Sequence, residues 1–143
     1  MARTFRAGFA YGMSAADVAD ELREAFATDD LELFETLVCA CGRDELALQV
    51  SSDSFGVAWR CVRCSRCGAR GARGRLVSCE CICGSEVLQV VLGESAFRAS
   101  RRVAVVGGRC VRCGIVASFG RYLAFRDADV APPAVARGSL RPS

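Results

Sequence analysis

Apolar residues first recur at helical spacing. Between Ser14 and Ala27, the residues Ala15, Val18, Leu22, Ala25 and Phe26 share one face, while Asp17, Asp20, Glu21 and Glu24 lie off it. That is the pattern of an amphipathic helix. Ser14 followed three positions later by Asp17 marks its start. A second helix is expected from Asp29 or Asp30, where Leu31, Phe34, Leu37 and Val38 form a stripe running into Cys39. Beyond Cys39 the period changes to two. Leu46, Leu48 and Val50 alternate with small or polar residues, Ser51 to Ser54 turns the chain, and Phe55, Val57 and Trp59 alternate back. Further on, Val87–Leu92 reads as a strand and Ser95–Arg102 as about two helical turns. Val103–Val106 then returns as a strand, and Gly107-Gly108 turns toward the next cysteine pair.

The two β stretches belong to a repeat. Cys39–Cys64 and Cys81–Cys113 both open with Cys-x-Cys-Gly and both close on Arg-Cys-Val-Arg-Cys. Each also holds an acid (Glu45, Glu86) and the tripeptide Leu-Gln-Val, at 48–50 and at 88–90. An internal duplication accounts for all of this at once. Units this short bury too little apolar surface to fold alone, since below about 40 residues a staple is needed. Four thiolates on a tetrahedral Zn²⁺ supply one, and metal binding is then inseparable from folding.

Eight of the ten cysteines fill two such sites: Cys39, Cys41, Cys61 and Cys64, then Cys81, Cys83, Cys110 and Cys113. Two Zn²⁺ per chain are therefore expected. Cys79 competes with Cys81 for the second site, and Cys67 is left over. Disulfides and an iron–sulfur cluster are the weaker alternatives. Secretion is not expected from the residues after Met1, and the tight cysteine run of ferredoxins is absent. The expected class is α+β: N-terminal helices followed by two small tandem zinc-binding modules, each a small antiparallel β unit clasped by two cysteine pairs. The organisation expected is a helical segment over 1–38, a first module over 39–66, an Arg/Gly-rich linker over 67–80, a second module over 81–126 and a disordered tail over 127–143.

Composition narrows the chemistry. The 143 residues include no histidine, so nucleophile systems built on Ser-His-Asp or Cys-His are excluded, as are zinc sites that use histidine. Closed four-thiolate sites and the lack of an acid/base pair at a recognisable spacing point away from an enzyme. Residues 1–40 carry three arginines against eight acids, and residues 41–143 carry sixteen against eight. An acidic segment thus precedes a basic one, and the two are expected to do different jobs. The stretch from Ser65 to Glu80 holds four arginines, which suits a solvated linker, phosphate contact or an acidic peptide. No membrane partner is expected, because the longest uncharged run, Ala7–Ala16, falls short of the ~20 residues a spanning helix needs.

Tandem all-cysteine units, a helix running into the first, and a basic second unit ending in Val-Val-Gly-Gly-Arg-Cys-Val-Arg-Cys resemble the papillomavirus early protein six family. Val77–Gly93 is also similar to the zinc domain of papillomavirus early protein seven. The resemblance covers roughly residues 29–118. It implies a viral, non-enzymatic adaptor that binds short acidic, leucine-rich helical motifs of host proteins and redirects host regulation or degradation. The implied partners are host proteins, among them a ubiquitin ligase, and the implied compartments are the host cell nucleus and cytoplasm. Arg109, just before the last cysteine pair, matches the family's basic peptide contact. Self-association is a further expectation. The alternative function is a nucleic-acid-binding tandem zinc-ribbon regulator.

Overall fold

A computed structural model of the chain describes residues 4–6, 8–51, 56–71, 75–96 and 101–125. Within them one helix, α1 (Ala15–Ala25), accompanies ten strands. The strands are β1 (Thr4–Arg6), β2 (Phe9–Tyr11), β3 (Leu33–Thr36), β4 (Leu46–Ser51), β5 (Val57–Cys61), β6 (Cys67–Arg70), β7 (Leu76–Ser78), β8 (Val87–Glu94), β9 (Arg101–Cys110) and β10 (Ile115–Phe125). All named strand pairs are antiparallel. The main path runs β1-β2-β10-β9-β8-β4-β5-β6, with β3 added to β8 and β7 added to β4.

The first helix forms as its pattern predicts. Ser14 is the N-cap, and the fully buried Asp17 accepts from the Met13 and Ser14 amides at 2.7 and 3.3 Å. The second expected helix does not form. Ala27–Asp29 makes a single 3-10 turn, held by a two-pronged contact from Arg121 to Asp29 at 3.0 and 3.1 Å. The stripe from Leu31 to Val38 instead contributes β3. Phe34 then packs on the helix side while Leu37 enters the opposite core.

The reason is the repeat itself, which begins earlier than its cysteines. A shift of 42 positions, from Cys39 to Cys81, carries residues 33–51 onto 75–93. A shift of 49, from Cys61 to Cys110, carries 57–70 onto 106–119. Strand pairing obeys both shifts. Leu46–Cys61 maps onto Leu88–Cys110, and Trp59–Gly68 onto Gly108–Ala117. Thr36–Val91, joining β3 to β8, maps onto Ser78–Gln49, joining β7 to β4. The bond from the Leu37 amide to the Val90 carbonyl maps likewise onto that from Cys79 to Leu48, both 2.9 Å long. Leu46 pairs with Leu88, its own equivalent. The two units are therefore related by an approximate two-fold axis through that pair, and each lends its first strand to the other's hairpin.

Three local expectations change as a result. The residues at 67–80 carry β6 and β7. Arg70 there lies 3.0 Å from Glu35 and 3.9 Å from Glu94, so it ties the end of β6 to β3 and β8. Gly107 and Gly108 lie within β9 rather than in a turn. The shared Leu-Gln-Val tripeptides are not equivalent, because Leu48 faces Trp59 whereas Leu88 faces Cys110. That slip of two residues keeps every side chain on its own face of the sheet, which is why the sequence pattern tolerates either alignment. Of the helical turns expected at Ser95–Arg102, residues 97–100 lie outside the described residues, and Arg101 and Arg102 belong to β9. The tail at 127–143 also lies outside the described residues.

One face of the sheet folds over the main core, which includes Leu46, Leu48, Val57, Trp59, Leu88, Val90, Leu92, Val106 and Tyr122. Val91, Val105 and Val116 point the other way and receive Val18 and Leu22 of α1. Strands β8 and β9 are thus covered on both sides, which explains their nearly continuous apolar sequences. Among the described residues no helix is long and apolar enough to cross a membrane.

Candidate metal centres

Each tetrad is assembled from two loops at one end of a hairpin. The Cys-x-Cys-Gly loop precedes the first strand (β4 or β8), and the Cys-x-x-Cys turn follows the second (β5 or β9). The loops match bond for bond. The Cys39 amide donates to the Arg43 carbonyl and the Gly42 amide to the Cys39 carbonyl, as Cys81 does to Ser85 and Gly84 to Cys81. Gly42 and Gly84 both have φ of 92°, a conformation that only glycine adopts without cost. The turn after the second pair also needs a left-handed residue. Unit 2 supplies Gly114 (φ 86°), whereas unit 1 accepts Ser65 (φ 66°).

These loops bring together the eight cysteines expected from spacing, in the expected two sets. None of the ten cysteines is joined to another in a disulfide. Within each set the sulfurs lie within 4.8 Å of one another. Cys39–Cys64 is 3.3 Å, Cys41–Cys61 is 3.8 Å, Cys81–Cys113 is 3.4 Å and Cys83–Cys110 is 3.6 Å. A tetrahedron of sulfurs at about 2.3 Å from a central Zn²⁺ has edges of about 3.8 Å, so each set fits one metal ion with little adjustment. An S₄ tetrahedron suits zinc or iron, and the donor set alone does not choose between them.

Backbone amides prepare the sulfurs for a cation. In unit 1 the Arg66 amide and the neighbouring Cys39 thiol bring Cys64 down to about 7, while burial pushes Cys39 up to about 12 against the Cys41 amide. In unit 2 burial likewise pushes Cys81 up to about 12, against the Cys83 amide. Burial also acts most strongly on Cys110. There the Cys113 and Arg112 amides and the Cys83 thiol together outweigh it, and Cys110 falls to about 6. Each set therefore offers one sulfur favoured as thiolate (Cys64, Cys110) beside a buried thiol (Cys39, Cys81) whose proton a metal must displace.

The leftover cysteines are accounted for by the repeat. Cys79 is the equivalent of Leu37. It is buried, stands outside the tetrads and has its thiol pushed up to about 11 by burial. Cys67 is the equivalent of Val116 and is exposed on β6. Aligning the segments before Cys39 and Cys81 would have separated Cys79 from the ligands.

Arg109 is half-buried. Its Nε donates to the Gly12 carbonyl at 2.8 Å and its Nη1 to Gln89 Oε1 at 3.3 Å. Gln89 in turn donates to Asp44 at 2.7 Å. A polar line thus joins the segment before α1 to unit 2 and then to the first metal loop. Beside the second tetrad lies a groove of about 300 Å³ lined by Phe9, Ile82, Leu88, Ile115 and Phe119, with Glu21 and Glu80 among its walls.

The chain matches no protein-family model, no curated protein and no solved structure.

Proposed function

We propose that this protein is a non-enzymatic adaptor, a two-zinc scaffold that binds short acidic, leucine-rich helical motifs of other proteins. The observation that carries this reading is the closure of both tetrads: four sulfurs per site fill a tetrahedral metal's coordination sphere. A metal so enclosed builds structure and has no position left for a reacting water. What such a scaffold offers is its surface, and residues 41–143 of it are basic. The family resemblance adds the setting: a virus-infected cell, host proteins as partners with a ubiquitin ligase among them, and the nucleus and cytoplasm as compartments.

A second reading, nucleic-acid binding, is favoured by one observation. Arg43, Arg60, Arg66, Arg75 and Arg112 are exposed and have no carboxylate partner among the described residues. The two readings separate by salt, because phosphate binding weakens steeply with ionic strength. The zinc-loaded chain should bind a labelled acidic Leu-x-x-Leu-Leu peptide at ~0.15 M salt and leave DNA and RNA oligonucleotides free. Oligonucleotides bound at that salt with the peptide left free would replace the adaptor by the nucleic-acid reading.

A further inference from the structure

The same side of the sheet is finished differently in the two units. In unit 2 it is covered by α1, which lies on the buried Val91, Val105 and Val116. At the centre of that seat a Cβ on Gly107 would stand 2.8 Å from Leu22 Cδ2 and 3.1 Å from Val18 Cγ1, so the helix rests on the strand backbone. One pleat further along β9, Arg109 holds the Gly12 carbonyl, in the segment that leads into the helix. Unit 2 is thus a working receptor for an acidic amphipathic helix with an extended lead-in, and the helix is the chain's own.

Unit 1 repeats the strands of this seat and its arginine, with smaller or polar side chains in place of the valines. Under the shifts of 42 and 49, Val91 becomes Gln49, Gly107 becomes Ala58, Arg109 becomes Arg60 and Val116 becomes Cys67. The register sets these side chains on one face, since Gln49 pairs with Ala58, Ala58 with Ala69, Arg60 with Cys67, and Ala47 with Arg60. Among the described residues no helix lies over them. Gln49 and Ala58 are only half-buried, and Arg60 and Cys67 are exposed. The floor is small (Ala47, Ala58, Ala69), and the Arg60 guanidinium has no partner among the described residues. Ala58 stands one methyl above the level of Gly107, so this seat suits a helix presenting alanine or serine where α1 presents Val18 and Leu22.

We propose that the outer face of unit 1, centred on Ala58 and Arg60, is the docking site for a short acidic amphipathic helix of another protein. That helix is held as α1 is held on unit 2. Its small apolar side lies on Ala47, Ala58 and Ala69. Arg60 takes a carbonyl of its lead-in, and the basic charge of the segment favours its acids. That the partner is an acidic helix rests on the adaptor reading above; the small residues it presents and the location rest on the repeat.

The test is a fluorescence-anisotropy titration of the full-length, metal-loaded chain with a labelled peptide of residues 11–26 carrying Val18→Ala and Leu22→Ala, so that the lead-in and helix present small side chains to the seat. Saturable binding is expected, and Arg60→Glu should weaken it about tenfold or more, the scale of losing a hydrogen bond from a charged donor. Ala58→Trp should weaken it comparably by filling the seat, while Arg112→Glu, on the second cysteine turn, should leave it within about twofold. Binding that neither Arg60→Glu nor Ala58→Trp alters would overturn this location and leave the adaptor reading standing. Failure of this peptide and of the Leu-x-x-Leu-Leu peptide alike would overturn both. Dimerisation of the unmixed chain that Arg60→Glu abolishes, seen by sedimentation velocity, would give the seat to a second copy's α1 and overturn the external partner.

Discussion

Gly107→Ala tests how α1 is seated. The added methyl would stand 2.8 Å from Leu22 Cδ2, 2.9 Å from the Ala117 carbonyl oxygen and 3.1 Å from Val18 Cγ1. The carbonyl is fixed in the β9–β10 ladder, where Ala117 pairs with Gly108, so the helix must give way. Overpacking of this kind costs about 1–3 kcal/mol. At roughly 3–5 °C per kcal/mol for a chain of this size, the metal-loaded protein should melt about 3–15 °C lower. The damage should be local, with faster amide hydrogen exchange in Ala15–Ala25 and protection retained in β4 and β5. Leu22→Ala alone empties a fully buried position and should cost about 2–5 kcal/mol. In the double variant the new methyl occupies part of the vacated space. The two penalties should therefore fall short of their sum by more than about 0.5 kcal/mol. Scanning calorimetry of the four proteins closes the cycle. Strict additivity, or Gly107→Ala melting with the wild type, would refute the proposed contact.

Three further outcomes follow from the repeat and the thiols. Cys110→Ser should reduce the bound metal from two ions to one, whereas Cys79→Leu, which installs the residue of its equivalent Leu37, should keep both and cost less than about 1.5 kcal/mol; inductively coupled plasma mass spectrometry and thermal melts distinguish them. A thiolate held at lowered pKa favours metal above that value and loses it as pH falls. Acid titration with a chromogenic chelator should therefore release both ions as pH falls, because protons compete with the metal for Cys64 and Cys110. Metal retained in full under acid would contradict that competition. Cys79 works in the opposite direction. Its thiol is raised to about 11, against roughly 8.5 in an unfolded chain, so its contribution is complete below the unfolded value and is lost as pH climbs through 11. Cys79→Ala should flatten the alkaline limb of a denaturation profile, and an unchanged limb would show that Cys79 is not its source.

Much of the metal chemistry was legible because it is local. Cys-x-Cys-Gly and Cys-x-x-Cys each close around an ion within a few residues, so spacing and the repeat together point to the eight sulfurs that the fold gathers, although spacing alone leaves Cys79 competing with Cys81. The first helix was legible through Ser14 and Asp17, and the hairpins through their two-residue period. The leading strands were not, because their partners are remote. Leu31, Phe34, Leu37 and Val38 satisfy a helical stripe as well as a strand, and only the pairing of β3 with β8, more than fifty positions away, decides between them. Gly107-Gly108 reads as a turn because the real causes lie on other elements: Leu22 and Val18 press on Gly107, and Phe119 and the Gln89 carbonyl crowd Gly108. The Arg/Gly stretch concealed β6 and β7 because their stability comes from the other strands they join, and Arg70 finds Glu35 only in three dimensions.

On the adaptor reading, two enclosed metal ions hold this duplicated fold together. Native mass spectrometry of the intact chain, before and after a strong chelator at neutral pH, tests this. Two zinc ions per folded chain are predicted, with a shift to the broad, highly charged envelope of an unfolded chain once they are stripped. A compact chain that carries no metal, or whose mass shows the eight sulfurs oxidised to cystines, would contradict it.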